Sequence, residues 1–330
     1  MGKNGAVPVG QQVRPGCERE RPMKVRGRFA PTPSGRMHLG NLLAALLAWL
    51  DVRSAGGELV LRIEDLDTQR TSAGFAQQLM DDLRWLGLDW DEGGLEPAYM
   101  QSCRTAYYEE AFRVLEGKGL VYPCYCTRSE RMAASAPHRD DGAVVYSGKC
   151  FHLTAGEREV LERAGRRPAW RLRCPSLSVT VEDGNCGTYT ENLARDCGDF
   201  IVRRSDGVFA YQLAVVVDDA LMGVNHVVRG RDLLCSAPRQ AWLHQVLGYE
   251  PPRFFHTPLL LAADGRRLAK RDRDLDMGAL QEWYSPEGLT GLLAWYAGLL
   301  ERPEKVTARE LIPQFSWAKV PKSDVVVCLS

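Results

Sequence analysis

Between residues 25 and 90 short apolar runs alternate with helical periods, which few folds accommodate. Residues 25–30 read as a strand, 42–53 as a buried helix, 58–63 as a second strand and 73–86 as an amphipathic helix. Strand, helix, strand, helix predicts βαβ units and a parallel sheet, because parallel neighbours need a crossover and a helix supplies it. The first crossover is unusual in composition: Ala30-Pro31-Thr32-Pro33-Ser34-Gly35-Arg36-Met37-His38-Leu39-Gly40-Asn41. Small residues at a helix N-terminus let a nucleotide approach the backbone, and the helix dipole favours its phosphates.

Further along, residues 107–118 predict another helix, ended by Gly119. Residues 121–195 break the pattern with cysteines, prolines, glycines and short strand-like pieces at 169–173 and 177–181, and so read as an insertion. The core is expected to resume with a strand at 199–204, followed by the turn Ser205-Asp206-Gly207 and an apolar run at 208–217. Val215-Val216-Val217 reads as a strand, which makes Asp218 and Asp219 loop carboxylates of unassigned role, while Asp65 reads as a structural cap. A strand at 225–228 and helices at 237–247, 278–283 and 286–300 complete the reading. The expected division is a disordered extension (1–24), a first core half (25–120), the insertion (121–195), a second core half (196–271) and a helical C-terminal region (272–330).

Composition removes several functional classes. With 42 basic and 42 acidic side chains the chain has no net charge, so nucleic-acid binding would need a local patch. Candidate patches are Arg163, Arg166 and Arg167; Arg171 and Arg173; Arg203 and Arg204; and Arg266 and Arg267. Residues 1–24 hold no continuous apolar stretch of the kind a secretory signal needs. The longest apolar run, 42–50, falls well short of the roughly 20 residues of a membrane span. A cytoplasmic location is expected. Ten cysteines in that setting point to reduced thiols or metal rather than disulfides.

Far downstream, Arg267-Leu268-Ala269-Lys270-Arg271 forms a short basic segment. Paired with residues 28–41 in this order, it resembles the HIGH and KMSKS signatures of class I aminoacyl-tRNA synthetases, in their glutamyl branch. The resemblance extends through most of residues 25–271, carried also by Leu61-Arg62-Ile63-Glu64-Asp65, by Ala210-Tyr211-Gln212-Leu213-Ala214 and by Val227-Val228-Arg229-Gly230. It implies a Rossmann-type α/β catalytic domain with a parallel sheet, and an ATP-dependent ligase with Mg2+ accompanying the ATP. His38 and Lys270 would then act on the phosphates, and Pro31, Gly40, Asn41, Lys270 and Arg271 would hold the nucleotide. Arg28, Thr32, Glu64, Tyr211 and Arg229 would hold L-glutamate, with Glu64 taking the ammonium. The residue types agree, since two carboxylates and one ammonium call for arginines and one acid. Two positions depart from the signatures. Asn41 stands for the second histidine of HIGH and retains a donor. Ala269 stands for the first serine of KMSKS and forgoes a hydroxyl worth on the order of 1 kcal/mol.

Cys124-Tyr125-Cys126 and the later Cys150 place three thiols within 27 residues of a segment poor in apolar side chains. Zinc favours four tetrahedral ligands and binds thiolates well. On chemistry alone the fourth ligand could be His138, His152 or Tyr146. The shortened paralogues of the glutamyl branch carry C-x-C…Y-x3-C, and that resemblance implies Tyr146, with one structural Zn2+.

The same wording, Val215-Val216-Val217-Asp218-Asp219 and Val227-Val228-Arg229-Gly230, is similar to the glutamyl-Q tRNA(Asp) synthetase family. Only 59 residues follow Arg271, fewer than an anticodon-binding domain of roughly 100–150 residues. The resemblance implies glutamate activation without tRNA and transfer to the queuosine base at the wobble position in the anticodon stem-loop of tRNA(Asp); a monomer is expected. The alternatives are a glutamate-adenylating enzyme with another acceptor, or a non-catalytic binding paralogue whose one support is Ala269.

Overall fold

The computed structural model describes residues 24–127, 145, 146, 148–266 and 276–327. Strand β1 (Arg26–Phe29), helix α1 (Leu39–Ser54), β2 (Glu58–Leu61), α2 (Ala73–Trp85) and β3 (Glu92–Gly93) follow the expected alternation. Helix α1 is apolar on every side because it is covered on every side, and its buried residues include Leu39, Leu43, Leu46, Leu47 and Leu50. Helix α2 buries one stripe only, Ala76, Leu79, Met80 and Leu83, and Ser72 caps its start by accepting the amide of Phe75.

After β3 the chain makes α3 (Thr105–Gly117), β4 (Val121–Cys124), α4 (Ala155–Arg163), β5 (Ala169–Leu172), the hairpin β6 (Ser178–Asp183) and β7 (Gly187–Asn192), and β8 (Phe200–Arg203). Strands β4, β5 and β8 form an antiparallel sheet. The strand expected to reopen the core at 199–204 therefore exists, but it pairs with β5 instead of joining the parallel sheet.

Helix α5 (Tyr211–Leu221) replaces the strand expected at Val215-Val216-Val217, and Asp218 and Asp219 are buried helical residues, not loop carboxylates. Continuous apolar character marks burial on all sides without fixing the period, and three consecutive valines carry a β propensity that tertiary packing overrides here. Leu213 through Val217 sit in a cluster with Tyr108, Phe112, Leu172 and Leu243.

The central sheet closes with β9 (His226–Gly230), α6 (Ala237–Leu247) and β10 (Arg253–Thr257). Its order is β10-β9-β1-β2-β3, with every pairing parallel. The chain moves outward from β1 to β3, then crosses to build the other side from β9. Strands β1 and β9 are thus the switch point where open parallel sheets bind ligands beyond their carboxyl ends. Next come β11 (Leu260–Leu261), α7 (Met277–Trp283), α8 (Pro286–Tyr296) and α9 (Ala308–Leu311), and β12 (Val325–Val326) pairs with β11. The Trp317 indole donates to Asp51 Oδ1 at 2.7 Å, and His226 meets Oδ2 at 2.8 Å, tying this last segment to α1 and β9. No helix among the described residues is long and apolar enough to cross a membrane.

Candidate functional site

A cavity of about 600 Å³ opens above the carboxyl ends of β1 and β9. Arg28, Pro31, Thr32, His38, Gly40, Asn41, Glu64, Tyr211 and Arg229 all line it, so every described residue expected to bind nucleotide or amino acid converges there. Lys270 and Arg271 lie outside the described residues, as does Ala269.

At one end of the cavity is the start of α1. The His38 ring caps the helix: its Nδ1 accepts from the Gly40 amide at 3.2 Å, which assigns the ring proton to Nε2. The Asn41 Oδ1 accepts reciprocally from the His38 amide at 3.2 Å. Gly40 permits this cap, because a Cβ there would lie 3.2 Å from His38 Cε1. Gly35, in the preceding turn, takes a φ of 146° that side chains rarely adopt. The geometry gives Asn41 a capping function that the signature comparison had not supplied.

Under the cavity lies a network of buried charge. Arg62 Nη1 donates to Asp219 Oδ1 at 2.6 Å and its Nη2 to Glu64 Oε1 at 3.2 Å, while Arg28 Nε stands 3.5 Å from the same Asp219 oxygen. Asp218 takes Arg104 Nε at 2.6 Å, and Gln101 and the Tyr108 hydroxyl at 2.8 Å each. Burial raises the Asp219 pKa, but Arg62 and Arg28 outweigh it and hold the carboxyl below its ordinary value. Burial pushes Glu64 up despite Arg62 and Arg28, and pulls the Arg28 guanidinium down, with Asp219 opposing. Asp65 is structural, accepting from the Ser102 amide at 2.8 Å and from its hydroxyl at 2.6 Å.

The wall formed by β9 is different. Arg229 is 5% exposed, and its donors reach His256 Nε2 (3.0 Å), Gln240 Oε1 (2.6 Å) and the Leu233 carbonyl (3.3 Å), all uncharged. Arg28, Arg62 and Arg104 therefore stand directly against Asp218, Asp219 and Glu64, whereas Arg229 touches no carboxylate and meets that of Asp183 only through His256. Such a site favours an anion. Sequence reasoning missed Gln240, His256 and the roles of Arg62, Asp218 and Asp219. The one usable signal was a histidine in the apolar run Phe254-Phe255-His256.

The insertion gathers the expected sulfur cluster. The Sγ atoms of Cys124, Cys126 and Cys150 lie within 4.8 Å of one another. The Tyr146 hydroxyl is 3.5 Å from both Cys124 Sγ and Cys126 Sγ. His152, the rival ligand, packs edge-on against Phe151 and is not in the group, and His138 lies outside the described residues. Three thiols and a phenol make a donor set suited to a tetrahedral thiophilic cation. Arg171 lies over the Tyr146 ring at 3.7 Å and donates to Cys124 Sγ at 3.3 Å, which favours thiolate there. This arginine, expected at the surface, is buried, and Arg173 and Arg203 likewise cover aromatic rings.

A profile of the catalytic domain of class I tRNA synthetases (E and Q) matches residues 24–326. A Symbiobacterium thermophilum protein named glutamyl-Q tRNA(Asp) synthetase is 49% identical over 307 residues, 91% of this chain and 94% of its own. A Deinococcus radiodurans protein of the same name is 46% identical, covering 88% and 96%. Among solved structures, a glutamate tRNA ligase from Elizabethkingia meningosepticum in complex with its amino acid superposes with a TM-score of 0.78. It is 28% identical and covers 92% of this chain and 67% of that one.

Proposed function

Since the chain belongs to the class I tRNA synthetases for glutamate and glutamine, we propose that it activates glutamate with ATP and passes it to the queuosine base of tRNA(Asp). The glutamate α-carboxylate attacks the α-phosphorus, forming a mixed anhydride and releasing pyrophosphate. A hydroxyl of the queuosine cyclopentenediol then attacks the acyl carbon, forming an ester and releasing AMP. Catalysis of the first step is mostly positioning and stabilisation of phosphate charge. His38, with its proton on Nε2, and Lys270 are the donors assigned to the phosphates. Glu64 receives the substrate ammonium, and Arg28, Thr32, Tyr211 and Arg229 enclose the rest of the amino acid.

One observation carries this reading: a buried arginine with only neutral partners shares a cavity with the α1 N-terminus at the sheet's switch point. A substrate with a side-chain carboxylate completes that arginine, whereas glutamine leaves its charge unanswered. The names of relatives that match this chain along nine tenths of their length support the acceptor. Cys124, Cys126, Tyr146 and Cys150 would hold one Zn2+, which contributes folding energy to the insertion and takes no part in the transfer. The reading places the enzyme in the cytoplasm as a monomer.

The test has two parts. Pyrophosphate exchange should require glutamate, proceed without tRNA, and fall by about a hundredfold or more in Lys270→Ala. Radioactive glutamate should label tRNA(Asp) from queuosine-competent cells, but neither tRNA(Asp) from queuosine-deficient cells nor tRNA(Glu). Equal labelling of the two tRNA(Asp) samples refutes the acceptor, and exchange that appears only with tRNA refutes the first step.

A further inference from the structure

Arg229 is reached by a chain of hydrogen bonds in which each link dictates the next. The Asp183 carboxylate, at the end of β6 in the insertion's hairpin, lies 2.6 Å from His256 Nδ1. A carboxylate only accepts, so Nδ1 carries the ring proton and Nε2 keeps its lone pair. That lone pair receives Arg229 Nε–H at 3.0 Å. Burial holds the His256 pKa below its ordinary value, with Asp183 opposing and Arg229 adding to the effect, so the ring stays neutral. From the other side, Gln212 Nε2 donates to Ser236 Oγ (3.1 Å), Gln240 Nε2 to Gln212 Oε1 (2.8 Å), and Gln240 Oε1 accepts from Arg229 Nη1 (2.6 Å). The Leu233 carbonyl takes Nη2.

A guanidinium has five N–H bonds. Three are occupied by these acceptors, which leaves one proton on each terminal nitrogen for a substrate carboxylate. None of the three acceptors is charged, and the nearest carboxylate of this chain of bonds, Asp183, stands behind the His256 ring, so no carboxylate occupies the guanidinium directly. We propose that His256, held in one tautomer by Asp183, and Gln240 are positioning residues that aim Arg229 at the substrate's side-chain carboxylate and set the preference for glutamate over glutamine. This rests on the reading that Arg229 receives that carboxylate. It also gives the insertion a role in substrate choice, since Asp183 belongs to its hairpin and His256 to the central sheet.

Two shape-conserving changes at one position separate this role from a structural one. In His256→Gln the side-chain amide reaches the place of Nε2 and can still accept from Arg229, but it gives up Asp183. In His256→Asn the amide stays at Nδ1, keeps Asp183 and abandons Arg229. A purely structural histidine predicts that Asn is the milder change. The proposal expects the reverse: in pyrophosphate exchange His256→Asn raises the KM for glutamate about tenfold with kcat and the KM for ATP little changed, while His256→Gln stays close to the wild type. Gln240→Glu keeps the shape and places a carboxylate on Arg229, so it should raise the glutamate KM and narrow the ratio of kcat/KM for glutamate over glutamine. The proposal is overturned if Asn and Gln shift the glutamate KM alike, if Asn is the milder, or if Gln240→Glu leaves the ratio unchanged. Should His256→Asn not fold, judged by thermal melting, Gln240→Glu decides alone. Arg229→Ala separates the two levels. An unchanged glutamate KM there refutes the role of Arg229 itself, whereas a raised one beside silent His256 and Gln240 variants refutes only the positioning.

Discussion

Beneath the cavity, Arg62 is fully buried and shares Asp218, Asp219 and Glu64, whereas in the wall Arg229 lies over the Phe254 ring and donates to an imidazole, an amide and a peptide carbonyl. Both guanidinium groups were taken out of water, which is costly unless something opposite replaces it. The floor is compensated when the chain folds. The wall is hydrogen-bonded to neutral groups only, and in the proposed function its direct carboxylate partner is the substrate's. The difference teaches that two strand spacings, from β2 across β1 to β9, separate charge used to build the fold from charge proposed for binding.

Removing one floor carboxylate should have the largest effect. Asp219→Ala leaves Arg62 and Arg28 facing each other without their shared acceptor, and should cost about 3–5 kcal/mol of stability, read as a lower denaturant midpoint. The same carboxyl sets an acid limit. Its pKa is depressed in the folded protein, so the stability it adds is present above the unfolded value and lost as pH falls through the folded one. A wild-type midpoint in Asp219→Ala would erase the distinction between floor and wall.

Arg229→Ala is the opposite case. Here the loss should appear in binding: about 2–3 kcal/mol, a rise of roughly a hundredfold in the glutamate KM, with melting temperature little changed because no carboxylate is stranded. A fall in stability as large as that of Asp219→Ala, with KM untouched, would place Arg229 in the structural class with Arg62.

Asp82 tests the comparison from the anionic side and should give the smallest effect. This carboxyl on α2 is 3% exposed, stands 3.5 Å from Arg36, and its Oδ2 has no hydrogen-bond partner among the described residues. Burial raises its pKa to about 6, with Arg36 opposing. Between the unfolded value of 3.8 and about 6 the folded state holds the extra proton, so stability falls as pH rises through that window. Asp82→Asn should therefore stabilise the protein by roughly 1–3 kcal/mol at pH 8, a gain that fades by pH 4. A gain independent of pH would mean that the ionised carboxylate is already compensated, as on the floor.

These contrasts were unequally legible in the sequence. Arg28, Glu64, Tyr211 and Arg229 stand in recognisable local wording, and their gathering in one cavity follows from a strand-helix alternation that was also readable. Asp218 and Asp219 were misplaced because a run of valines states burial but not period, and only the packing of α5 between α3 and α6 decides for helix. Asp183, Gln240 and His256 left no signal as a group, since they come from three segments that meet only after the hairpin docks on the sheet. A hydrogen bond across 73 residues has no spacing to detect. The proposed metal ligands lay between: the cysteines were evident from composition, while choosing Tyr146 over His152 needed the family resemblance, and the geometry brings Tyr146 to the thiols.

The reciprocal cap at the start of α1 has a consequence for anyone who would redesign the proposed nucleotide pocket. His38 and Asn41 fasten each other while Gly40 leaves room for the ring, so the three positions act as a single unit. A library that varies His38 alone mostly samples proteins with a frayed helix, and will score them as failures of chemistry. Varied together, the three positions let a search tell a poor phosphate donor from a poor helix start.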